Sequence, residues 1–117
     1  MKKRLNLVIL ISFFGFGNAI GQIKKHFKDA PNTTVFTTTF VLKEKKTITY
    51  VTHDAEDGAW QFFSNDKFES FEKVAQIVSL EQIIKIDKTL LELADLPLGY
   101  IATRKSLKDK WKIEKAE

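Results

Sequence analysis

No cysteine occurs anywhere in this 117-residue chain, and that absence constrains its fold more than any motif it carries. A small domain without disulfides or a cysteine–zinc centre must hold itself together by burying apolar surface. A domain of about 90 residues can do so, provided that its large side chains go inside. The chain has ten phenylalanines and two tryptophans. Most of them are expected in the core, so a binding role for any one ring must be argued against that demand.

The front end stands apart. Met1-Lys2-Lys3-Arg4 is a positive patch, Leu5 to Phe16 is almost unbroken apolar sequence, and Ala19-Ile20-Gly21 sets small residues at the −3 and −1 positions before Gln22. This is the layout of a cleavable secretory signal peptide. The apolar run, about 12 residues, is too short for a hydrocarbon core that needs about 20, which argues against the alternative of an uncleaved anchor. The expected organisation is a signal peptide over 1–21, a flexible leader over 22–34 and a single domain over 35–117. The protein is expected to be exported to the periplasm or beyond, with no membrane span after cleavage. Without cysteine, the exported form is not a lipoprotein. Of 19 Lys+Arg against 15 Asp+Glu, Lys2, Lys3 and Arg4 leave with the signal, so 16 face 15. That balance gives no reason to expect a nucleic-acid partner.

The remaining chain alternates strand and helix patterns. "VFTTTFVL" (35–42) is β-branched and alternating, with Phe36, Thr38, Phe40 and Leu42 on the face expected to meet the core. A charged turn at 43–46 leads to "TITYVTH" (47–53), and the two runs read as a hairpin. Asp54 to Gly58 turns again, and Ala59 to Ser64 reads as a third strand with Trp60 and Phe62 on one face. Phe68 and Phe71 sit at helical spacing, and Lys73 to Val78 suits a fourth strand. Ser79-Leu80-Glu81-Gln82 is a capping box opening a helix. Asp87 is a second N-cap ahead of "KTLLELADL", which Pro97 and Gly99 stop. Tyr100 to Lys105 and the stretch around Trp111 and Ile113 read as the last strands, lysines guarding the edge. The fold class expected is α+β: a small antiparallel sheet of about five strands with one or two helices packed on one face.

Candidates for chemistry are few. Asp54, Glu56 and Asp57 ahead of Gly58 suggest a calcium loop, but the register places Gly58 and Asn65 where an EF-hand needs acidic ligands. A solvated turn, with Gly58 in a left-handed conformation, fits better. His53 beside Asp54 would make a general base only if both pointed the same way, and neighbours on a strand do not. Nucleophile elbows, zinc-protease helices and phosphate-cradling glycine loops do not occur in the sequence. No catalytic residue, metal site or cofactor is therefore assigned. The residues left for binding are Phe63, which points away from Trp60 and Phe62, the turn acids Asp57 and Asp66, and Arg104.

"DGAWQFFSND" followed by "VSLEQIIKIDKTLLELADLPLGY" resembles a family of small bacterial domains of unknown function, some of whose members are grouped with immunity proteins of polymorphic toxin systems. Asp57, Gly58, Ala59, Trp60, Phe62, Ser64 and Asp66 follow the family's first pattern, with Asn65 in place of its glycine. Asp87, Thr89, Leu90, Pro97 and Gly99 follow the second, with Lys88 in place of a proline. These are structural positions: turn, core aromatic, helix cap, helix stop. The resemblance implies a non-catalytic module that binds another protein, a toxin or an envelope component. The alternative is a small hydrolytic or ligand-binding enzyme using scattered carboxylates and His53. Oligomeric state is left open by both.

Overall fold

The computed structural model describes residues 25–117; the signal segment proposed for 1–21 lies outside them. In chain order the elements are β1 (Thr34–Thr38), α1 (Thr39–Leu42), β2 (Tyr50–His53), β3 (Trp60–Phe63), α2 (Phe71–Val74), β4 (Ala75–Ser79), α3 (Leu80–Ile86), a 3-10 helix (Lys88–Leu93), β5 (Tyr100–Thr103) and β6 (Lys112–Lys115). The strands form one sheet of six in the order β4-β1-β3-β2-β5-β6. The class is α+β, as expected. The sheet is mixed rather than antiparallel, because β1 and β3 run parallel, Phe36 opposite Gln61.

That parallel pair corrects the expected first hairpin. β1 and β2 are not neighbours; β3 lies between them, and the hairpin is formed by β2 and β3, with His53 opposite Trp60 and Tyr50 opposite Phe63. The cause is local. The "TTT" run favours a pleat, but a threonine hydroxyl also caps helices. Thr38 accepts a hydrogen bond from the Val41 amide, ends the strand and starts α1. The chain turns away, and β3 takes the place beside β1.

The core face of β1 is also the reverse of the expectation. Val35 and Thr37 are buried beneath the helices, while Phe36 is on the other face, 6.5 Å from the Phe71 ring of α2. Here Phe71 of α2 covers the second face of β1, so the larger side chains of this strand need not mark the core. On the helix side, Val35, Val51, Trp60, Phe62 and Ala102 of the sheet meet Leu80, Ile83, Leu90 and Leu93 from the helices. Trp60 and Phe62 are 1% and 0% exposed. Burying each ring is worth roughly 4–6 kcal/mol by area, more than the 2–4 kcal/mol or so of a typical disulfide. The two rings at the centre of the sheet thus supply what the missing cysteines cannot.

The caps read from the sequence hold. Ser79 accepts from the Gln82 amide at 3.1 Å and Gln82 accepts from the Ser79 amide at 2.9 Å. Asp87 caps the 3-10 helix through the Thr89 amide at 2.9 Å. Gly58 and Gly99 both take positive φ, 73° and 82°, Gly58 in the tight turn before β3 and Gly99 in a turn closed by the Tyr100 amide on the Pro97 carbonyl; the 3-10 helix ends earlier than expected, with its C-cap at Ala94. Of the stretch read as a leader, the described part lies against the domain. Phe27 meets Trp60 edge-on at 4.9 Å. The carbonyls of Thr33 and Pro31 accept from the amides of Leu80 and Glu81 at 2.8 and 2.9 Å, satisfying the otherwise orphaned donors of the first turn of α3.

Candidate functional site

The residues singled out from the sequence divide between two ends of the sheet. At one end, Asp57 shapes the β2–β3 turn, its carboxylate accepting from the Ala59 amide at 2.9 Å. His53 lies beside it with its ring stacked on Trp60 at 3.8 Å between centroids. A carbonyl can only accept, so the 2.7 Å contact between His53 Nδ1 and the Leu96 carbonyl places the ring proton on Nδ1. That nitrogen is committed to holding the loop before β5. Among the described residues no group of three His, Asp or Glu side chains could hold a metal ion.

The opposite end gathers Phe63, Asp66 and Arg104. Arg104 is internal. Its Nε donates to the Ile48 carbonyl at 3.0 Å, Nη1 to the Thr89 hydroxyl at 2.9 Å and Nη2 to Asp87 at 2.5 Å. Its guanidinium also lies 4.0 Å over the Trp111 ring. Only 1% of the Arg104 side chain and 9% of the Asp87 side chain are exposed. The arginine fastens the end of β5 to the start of the 3-10 helix and to the segment before β2. Asp66 is a turn former, accepting from the Ser64 hydroxyl at 2.7 Å.

Phe63 has a different setting. Strand register places it on the sheet face opposite α3 and the 3-10 helix, with Phe36, Tyr50, Gln61 and Thr52; the short helix α2 lies on this face through Phe71. Five rings gather there. Phe63 lies 5.4 Å from Phe71, 6.3 Å from Phe68 and 6.2 Å from Tyr50, and Phe36 joins through Phe71. Phe68 and Tyr50 remain 41% and 38% exposed, and Ile77 of β4 on the same face is 65% exposed. The rings meet tilted or edge-on, the arrangement that aromatic quadrupoles favour. A surface of this kind is unusual on a small domain that needs its rings for the core.

Along the Phe63 end of that face a row of paired residues crosses four strands: Phe63 of β3, Tyr50 of β2, Thr103 of β5 and Lys112 of β6. The row ends at a hollow of about 470 Å³ lined by Thr103, Arg104, Lys105, Asp109, Lys110 and Lys112. The sequence marked Phe63 through strand parity, and the same parity applied to the β2–β3 hairpin would have found Tyr50. For the three lysines the sequence offers only the signal of edge protection.

A family model described as the Immunity protein Imm33 domain matches residues 32–114. No curated protein and no solved structure gives a significant match. The matched span runs from just before β1 into β6 and so takes in the described strands but for the last residue of β6, the aromatic face and the capped α3 and 3-10 helices; the chain belongs to the Imm33 immunity protein family.

Proposed function

We propose that this chain is a non-catalytic immunity-type module that neutralises a toxin by binding it, and that the open sheet face around Phe63 is the surface it uses. The observation that carries this reading is the aromatic cluster itself. A chain without disulfides buries Trp60 and Phe62 completely, yet leaves Phe68 and Tyr50 more than a third exposed on the other face. Exposed rings ringed by polar residues are what protein interfaces use as anchors. The environment of His53 supports a binding rather than a hydrolytic role, since its Nδ1 is bound to the Leu96 carbonyl and its ring is stacked on Trp60. The positive patch, short apolar run and small residues before Gln22 support export with cleavage after Gly21, so the partner would be met in the periplasm or outside the cell.

The test is a binding titration of the exported protein against a toxin encoded beside its gene, together with a growth assay in which the two are co-expressed. A stable complex and protection are expected. Phe63→Ala and Phe68→Ala should each weaken the complex by about 1–3 kcal/mol without unfolding the protein. Absence of a complex with any toxin of its own locus would overturn the reading.

A further inference from the structure

The connecting segments at the two ends of the sheet differ in charge. At the Phe63 end, the segment 43–46 carries three lysines and one glutamate, and the segment 105–112 carries four lysines and one aspartate. At the far end, the 54–57 turn carries three acids and no base; near it Lys25 donates to the Asp95 carboxylate and the Glu92 backbone carbonyl, and Lys115 of β6 is paired with Tyr100. The lysines of the first end are all exposed. Between the ends run strands of four to five residues, about 13 Å or more, which exceeds the Debye length of about 8–10 Å at physiological salt. A ligand at the lysine end therefore responds to local charge, and the total charge of the chain says nothing about it.

Lys112 belongs to the same cross-strand row as Thr103, Tyr50 and Phe63. The basic hollow and the aromatic face are thus one continuous surface, with rings at its centre and lysines on the rim at the β6 side. We infer that the partner is a protein presenting an acidic surface, whose carboxylates enter the hollow of Lys105, Lys110 and Lys112 while an apolar side chain packs on Tyr50 and Phe63. This rests on the binding reading above and adds the chemistry of the partner. A protein fits better than a nucleic acid. The rings pack against one another tilted or edge-on, up to 75° between planes, so they do not form a platform of parallel faces for stacked bases. The 54–57 turn at the opposite end carries three acids and no base and would repel a polyanion that reached it.

The experiment uses poly-L-glutamate as the acidic protein probe and a poly-dT oligonucleotide of matched length as the nucleic-acid probe, each titrated into the full-length isotope-labelled protein and followed by amide chemical shifts. Poly-L-glutamate is expected to shift Thr103 to Lys112 and Tyr50, with affinity falling as salt rises. The triple variant K105E/K110E/K112E should lose about tenfold or more of that affinity, while E56K/E92K at the acidic end should keep or gain affinity. No shifts, shifts centred elsewhere, or tighter binding of poly-dT would each overturn the inference. The two readings fail separately. Toxin protection that survives the triple reversal removes the acidic-partner inference and leaves the immunity reading. Poly-L-glutamate binding at the lysines without any toxin complex does the opposite.

Discussion

Arg104 is the only arginine among the described residues, and its position shows how a charge can be structural. Three of its donors are engaged inside the chain and its planar group covers the Trp111 ring. Asp87 is nearly as buried and also caps the 3-10 helix. Removing the arginine would leave that carboxylate buried without its partner. Arg104→Ala is therefore expected to lower stability by about 3–5 kcal/mol, read as a lower urea midpoint. Arg104→Lys should recover only a small part, because an ammonium cannot reach Ile48, Thr89 and Asp87 together. Phe63 illustrates the contrary case: its ring serves the face away from the core, so its truncation should act on binding far more than on folding.

Among the elements, α3 shows how a short helix is made stable. Seven residues are too few to form a helix on propensity. Its beginning is fastened twice: by the reciprocal Ser79–Gln82 bonds and by the carbonyls of Pro31 and Thr33 from the segment before β1. Ser79→Ala removes only the first of these. A loss of about 1 kcal/mol is expected, with faster amide exchange at Gln82 as the local signature. The segment before β1 also closes the core. Phe27 sits edge-on to Trp60, whose Nε1 donates to Asp29 at 3.4 Å. Phe27→Ala should cost about 2 kcal/mol, less than the 3–5 kcal/mol of a fully buried ring because Phe27 is half-buried. Trp60 emission should shift to longer wavelength as water reaches the indole.

At the scale of the molecule, the sheet separates two tasks. The helix side carries the buried cluster that holds the domain together, and the open side carries rings and lysines that the fold does not consume. Charge is divided along the other axis, so that association with an acidic partner should be steered to one end and weaken with salt. The association rate with such a partner is expected to fall steeply between low and physiological ionic strength, while the stability of the protein alone changes little. Stopped-flow binding and thermal melts at matched salt would separate the two effects.

Local rules made much of this legible in the sequence. The capping box at Ser79, the cap at Asp87, the turns at Gly58 and Gly99 and the burial of Trp60 and Phe62 depend on neighbours within a few residues or on the lack of cysteine. The parity of β3 likewise set Phe63 apart from its neighbours. What tertiary structure decided was adjacency. Nothing in "VFTTTFVL" states that β3 will lie beside β1, because a parallel pairing is joined through distant chain and leaves no turn signal. The core side of β1 is not legible either, since this strand is covered on both faces and so lacks the contrast that alternation depends on. The lysines of the 105–112 segment gained a context only when β6 closed onto β5 and carried Lys112 into line with Tyr50 and Phe63. Sequence fixes the conformations that short-range sterics and hydrogen bonds impose; which surfaces come together depends on how the whole sheet minimises its exposed apolar area.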